Sequence, residues 1–290
     1  MKKFSFFILI IVFSVITCRS QKISGKLTFQ QGQILAITTE VKSTVSQEAM
    51  GQAIDFTADG TAMHSYKVTN ATDDNNTLHH EIKRVAFNFD GMGQKRSFDS
   101  ENKKDMDGQF GAIVKDILSK SFDLIIDTAG KVLLVKPEKS ELSKTDDRLA
   151  IVMNMLKDVT NVVYPPKKNE ASFFKVLPEK EPGLNEIWTE AMEDSTGKFS
   201  TIYTLSGITD STLVVDLKGN SVTTTKAEMM GQQITTNMNN AFTGKIILDR
   251  ITGIIREKTI ATESNGTTEA MGGTLPVTSK TNVTIRVTPQ

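Results

Sequence analysis

The sequence predicts an α+β protein that is mostly antiparallel β, with a duplicated β module forming a large curved sheet or half-barrel covered by two or three central helices. Three observations predict it. Past the N-terminus the chain is dominated by Thr, Val, Ile, Ser and Asn in period-2 runs, the pattern of half-buried strands. Four short glycine bends recur between those runs. In the middle of the chain the apolar spacing changes from two to three, four and seven.

The N-terminus reads as a signal peptide over residues 1–20. Lys2 and Lys3 precede an uncharged apolar run from Phe4 to Thr17, which is too short for a spanning helix of about 20 residues. Two cleavages fit. Val15-Ile16-Thr17-Cys18 resembles a lipoprotein box, which makes Cys18 the candidate lipidation site, with Thr17 where Gly, Ala or Ser is usual. Cys18-Arg19-Ser20 also has the small-x-small pattern that releases a chain beginning at Gln21. Retention of the apolar segment in the fold is the third reading.

A first β module is expected over 21–137. Its opening strand alternates cleanly, with Ile37, Thr39, Val41, Ser43 and Val45 on one face and Thr38, Glu40, Lys42 and Thr44 on the other. A short helix is expected near 108–121, carrying Ile113, Val114, Ile117 and Leu118 as an apolar stripe. A helical connector and cover follows over 138–182. Within it, Ser140 to Val163 has an amphipathic pattern that Tyr164-Pro165-Pro166 stops, and a further short helix is expected from Glu170 to Leu177. The second β module occupies 183–290.

Two repeated elements support duplication, roughly 25–136 and 186–288. The first is an acidic-x-Met-Gly-(Gln/Gly) bend around Met50-Gly51, Met92-Gly93, Met230-Gly231 and Met271-Gly272. Gly reaches positive φ there at no steric cost. The second is a hairpin opened by Asp and closed by Gly, at Phe122–Leu133 and again at Gly244–Ile255.

Composition excludes several functions. The whole chain has 34 basic and 34 acidic side chains, and loss of Lys2, Lys3 and Arg19 with the signal leaves no basic excess for nucleic acid. Cys18 is the one cysteine, so the mature body has neither disulfide nor catalytic thiol. No Ser stands in a nucleophile elbow, and Gly91-Met92-Gly93 lacks the third Gly of a phosphate loop. Asp105-Met106-Asp107-Gly108 fails the calcium-loop pattern after its fourth position. His79 and His80 are adjacent on a strand and point to opposite faces, while His64 and one of them could meet across strands; the expectation is three histidines on the wet face. No catalytic, metal or cofactor residues are assigned, and an enzyme is not expected. The methionines at the bends either line an adaptable apolar site or cap the core.

Together the Met-Gly bends, Leu248-Asp249-Arg250-Ile251-Thr252-Gly253-Ile254-Ile255 and the Bacteroidota-like signal resemble the bacterial envelope family called domain of unknown function 6263. That resemblance implies no catalytic residues. At the level of architecture, a sheet wrapped on helices is similar to lipoprotein-carrier folds. The expected function is a non-enzymatic exported protein of the periplasm or outer membrane, or a secreted one. It would bind an apolar ligand, lipid or lipoprotein segment between sheet and helices. The alternative is an envelope scaffold or interaction module with a filled core and a protein partner. Membrane contact is expected only through an acylated Cys18.

Overall fold

The computed structural model describes residues 23–49, 52–91, 93–139, 159, 161–194, 196–229, 232–270 and 273–290. Twelve strands form one sheet: β1 (Ile34–Ala49), β2 (Gln52–Ala71), β3 (Asn75–Gly91), β4 (Gln94–Asp99), β5 (Ser121–Asp127), β6 (Val132–Lys136), β7 (Ile187–Asp194), β8 (Gly197–Ile208), β9 (Thr212–Met229), β10 (Gln232–Asp249), β11 (Ile255–Ala270) and β12 (Gly273–Pro289). Two short helices, α1 (Lys103–Met106) and α2 (Gly111–Leu118), lie between β4 and β5.

The alternation read from the first strand is the alternation found. Leu35, Ile37, Thr39, Val41 and Ser43 are buried, whereas Lys42 and Thr44 are exposed. The strand order is β6-β5-β3-β2-β1-β12-β11-β10-β9-β8-β7, with β4 beside β3, and each pairing is antiparallel. The chain thus builds outward from the centre through β1 to β6, crosses to the opposite edge, and builds inward from β7 to β12. First and last strands pair at the middle, Ile37 opposite Val287 and Val41 opposite Val283.

This meander gives the sheet two distinct ends. At the lower end β1 begins and β12 finishes, and there the turns after Asp127 and Asp249 lie. At the upper end are the ladder closures Ala49↔Gln52, Gly91↔Gln94, Met229↔Gln232 and Ala270↔Gly273. These flank the four Met-Gly motifs. Of the motif residues themselves only Gly93 is described, at φ +72°, the left-handed conformation expected of a bend. Met50, Gly51, Met92, Met230, Gly231, Met271 and Gly272 lie outside the described residues, as does Cys18.

The helical cover needs correction. α2 forms where expected and buries Ile113, Val114 and Ile117 against β3, but α1 and α2 belong to the first module and not to the centre of the chain. The helix expected over 140–163 falls outside the described residues except for Val159 and the 3-10 turn Asn161–Val163. Glu170 to Leu177 forms no helix. Lys131 bridges Ala171, and the Ser172 N–H donates to Gly130 O at 2.9 Å. Phe174, Val176 and Leu177 are buried. A strap that spends its backbone groups on β6 and its turn cannot also close helical hydrogen bonds.

Two buried clusters result. One fills the lower end and joins both wings of the curved sheet, with Leu78, Leu124 and Val132 from one wing and Leu205, Val215 and Leu248 from the other, all packed with Phe174. The second lies under β2, β3 and β4 and contains Phe56, Ile82, Phe87, Phe89 and Phe98 with the α2 residues, Val159 and Val163.

Candidate functional site

The three histidines divide differently from the wet-face expectation. His79 is on the outer face, its ring within 2.7 Å of Asp123 and 3.3 Å of Glu81. His64 and His80 are buried, with His64 Nδ1 and His80 Nε2 3.0 Å apart. Their outward placement is corrected by register: His64 is opposite Ile37 and His80 opposite Tyr66, both core-side positions. Rings of Tyr66 and Phe122 enclose the pair, with the His80 ring stacked on Phe122 at 4.4 Å. Burial pushes the pKa of His64 down to about 4; for His80, burial and then the charges of His64 and His79 push it to about 3. Both rings are neutral at pH 7, so one donates to the other. His64 Nε2 and His80 Nδ1 are left without a hydrogen-bond partner among the described residues. The arrangement offers two nitrogens and no third ligand; no group of three His, Cys, Asp or Glu forms among the described residues.

The site with the strongest claim to function is the upper half of β9 to β11, within the wing formed by β8 to β12. Its inward positions follow from the register of Leu217 with Gly244 and Ile246 with Val215. Proceeding upward they are Gly219, Phe242 and Thr262, then Ser221, Asn240 and Ser264, then Thr223, Met238 and Gly266. Between 218 and 245, and between 256 and 276, no apolar side chain among the described residues is buried. Side-chain hydrogen bonds instead join neighbouring strands, on the inward face and on the outer one. Asn240 donates to Ser221 Oγ at 3.0 Å, Thr224 donates to Asn237 Oδ1 at 2.8 Å, and Thr236 and Thr268 hydroxyls are 3.1 Å apart.

Gly219 has no room for a side chain. A Cβ there would lie 2.2 Å from Ser200 O and 2.5 Å from the Phe242 ring, so only Gly lets Phe242 lie across β9. On the opposite face, above the small Ala241 and Ala261 side chains, is an open depression of about 490 Å³ lined also by Ser200, Ile202, Lys218, Asn220, Thr243 and Glu263. Glu263 also pairs with Lys280 at 3.0 Å. At the wing's edge Trp188 stacks on Tyr203 at 5.5 Å. Burial, followed by the neighbouring Glu190, raises the Tyr203 pKa to about 12. Such a surface supplies hydroxyls, amides and small apolar floors, which recognise by hydrogen bonding and shape. None of these groups forms a nucleophile and base in contact. The Thr-rich strands were legible in sequence; that none of the described residues buries an apolar side chain over their upper half was not.

The turns after Asp127 and Asp249, expected from sequence as a repeat, converge on one segment. Asp127 Oδ1 accepts from Ala129 and Lys131 N–H at 2.9 and 2.8 Å. Asp249 Oδ1 accepts from Ile251 and Thr252 N–H at 3.0 and 2.8 Å. Burial opposes its charge, but hydrogen bonds from Arg256, Thr252 and Ile251 prevail and lower its pKa to about 2. Between the two turns runs the strap 23–29: the Leu27 N–H donates to Thr128 O at 2.7 Å and the Thr28 N–H to Thr252 O at 2.9 Å. Leu27 faces both turn glycines, Gly130 at φ +84° and Gly253 at φ +71°. Ile23, Leu27 and Phe29 are buried.

Comparisons with known proteins bear on family alone. No curated protein matches the sequence. Among solved structures, a lipovitellin described for its lipid–protein interactions matches at 11% identity and TM-score 0.46, over 91% of this chain and 26% of that one. The chain thus spans about a quarter of the lipovitellin chain. An outer membrane channel from Pseudomonas putida F1 matches at 8% identity and TM-score 0.26, over 91% of this chain and 98% of that one. OpdQ of Pseudomonas aeruginosa gives 8% and 0.22, over 88% and 99%. None of these scores bears on function. The family described as "Family of unknown function (DUF6263)" matches residues 73–255, from the start of β3 to the start of β11, and the chain belongs to that family.

Proposed function

We propose that this is an exported, non-enzymatic envelope protein that acts as an interaction module, engaging a partner through the upper half of the β8–β12 wing. One observation carries the reading: from 218 to 245 and from 256 to 276 no apolar side chain among the described residues is buried, although these strands run as long as those over the second cluster. A soluble sheet of that size ordinarily packs one face. Rows of Thr, Ser and Asn held in register present a preorganised hydrogen-bonding surface, and the depression at Ala241 and Ala261 adds shape.

A second reading keeps an apolar ligand, lipid or lipoprotein segment on the concave side of the same wing. What favours it is Met238 and Phe242 on that side, with Ile260 at the margin of the second cluster, all half-buried. The two readings separate in one experiment. A photo-crosslinking residue is placed at Thr223 or Ser264, and a control at Met63 on the other wing, in cells that export the protein. A discrete protein adduct from the first two positions and none from the third supports the interaction module. Absence of any adduct, together with discrete lipid masses released from the native protein, sinks it in favour of the ligand reading.

A further inference from the structure

Resting on the reading of the chain as exported and acylated at Cys18, we propose that the lower end of the sheet is a membrane-docking face. The occupant is a lipid surface, with the upper end held away from it. Tether length is the first argument. Ile23 is the first described residue and is buried at the lower end, its N–H donating to Pro182 O at 3.1 Å. It lies five residue steps beyond Cys18, a reach of at most about 18 Å even fully extended. β2 has 20 residues, so at about 3.3 Å per residue the sheet is on the order of 65 Å tall, several times the tether. An acyl chain on Cys18 can therefore bring only the lower end to the bilayer.

The strap that carries this tether is built to transmit it. Its hydrogen bonds to Thr128 and Thr252 engage one turn from each module, and Leu27 is seated against both turn glycines. A pull at residue 23 is thus borne by both wings and not by a single hairpin.

The surface chemistry of that end agrees. Ile251, at the tip of the second Asp turn, is 81% exposed. Its own N–H is bound by Asp249, and Arg250 donates to Thr209 O at 2.7 Å, so the turn holds the side chain outward. Leu184 and Ile187, 51% and 62% exposed, lie at the same end, where the Asn185 N–H donates to Leu205 O at 2.8 Å. Such residues enter a headgroup boundary when an anchor already keeps them close, fixing which end of the sheet meets the bilayer.

The test uses the full chain, acylated on Cys18 and reconstituted in vesicles of phosphatidylethanolamine and phosphatidylglycerol. Acylation consumes the one native thiol, so Ile251→Cys and, at the upper end, Lys95→Cys each give a unique labelling position. Both side chains are exposed, and neither change removes a buried contact. With an environment-sensitive label and nitroxide lipids, quenching at 251 is expected to exceed that at 95 at least fivefold. Equal quenching, or more at 95, overturns the proposal. Intact mass of the chain from its own envelope tests the underlying anchor separately. If it begins at Gln21 without acyl mass, that released chain is added to the same vesicles: quenching at 251 then still supports a docking face, and failure to co-sediment overturns it.

Discussion

The two wings of the sheet are built from similar Thr- and Val-rich strands and end differently. On β3 the inward positions of the upper half are Ile82, Val85, Phe87 and Phe89, and they bury against α2. On β10 the matching stretch offers Met238, Asn240 and Phe242, and nothing described is buried there except Ser221 on the neighbouring strand. The difference teaches that strand propensity and burial are set by separate residues. Thr and Val make both wings extended, but among the described residues it is the aromatic inward row that packs against a helix.

Replacing an inward aromatic on each wing gives the largest contrast. Phe87 is stacked on Phe98 at 5.4 Å and meets Phe110 edge-on at 5.0 Å, so Phe87→Ala is expected to cost about 3–5 kcal/mol in urea unfolding. Phe242→Ala, half-buried across Gly219, is expected to cost about 1–2 kcal/mol. Equal losses would mean that the upper β8–β12 wing is packed after all.

Leu27→Ala probes what the wings share. Its contact with both turn glycines predicts a loss of about 2–4 kcal/mol. Hydrogen exchange should then quicken at the turns after both Asp127 and Asp249. Faster exchange in one wing alone would show that the strap does not couple them.

The histidine pair is expected to make stability acid-sensitive through the β2–β3 wing. Both folded pKa values, about 4 and about 3, lie below the ordinary value of 6.5. Protonation therefore favours the unfolded chain. Stability is complete above pH 6.5 and falls as pH drops toward 4, by about 1.4 kcal/mol per pH unit for each ring. The double variant His64→Leu, His80→Leu should flatten that slope between pH 6.5 and 4. An unchanged slope would place the acid sensitivity elsewhere. The Asp249 contribution, held by a depressed pKa, is lost only below about pH 4 and does not confuse the window.

Smallest of all is the change expected at Thr236→Val, within about 0.5 kcal/mol, because its partner Thr268 is half-buried and can turn to water. A loss above about 1.5 kcal/mol would reveal a cover on that face.

Much of the sheet was legible because it depends on local pattern. The faces of β1, the stripe of α2 and the Asp-Gly turns follow from period and from turn chemistry over a few residues. What escaped depends on register between distant strands. Nothing local says that Ile37 lies opposite His64, so the burial of His64 and His80 could not be read from their neighbours. Phe173, Phe174, Val176 and Leu177 have a spacing that suits a helix, yet the free backbone groups of β6 capture that segment as a strap. The sparse burial on the upper parts of β9 to β11 escaped for the opposite reason, since alternation of Thr and Ser reads the same whether or not its inward face is packed.

The seam between β1 and β12 has a consequence for how the molecule comes into being. Made from its N-terminus, the chain completes β1 at residue 49 and does not begin the strand that covers its other side until Gly273. For that whole interval the middle of the final sheet is an unprotected edge of 16 residues, the kind that recruits foreign strands. Closure joins the two ends of the chain, with the Gln290 N–H donating to Ile34 O at 2.8 Å. The β1–β12 pairing is the join between the halves of the sheet, and a chain truncated by its final strand would lose not a margin but that join.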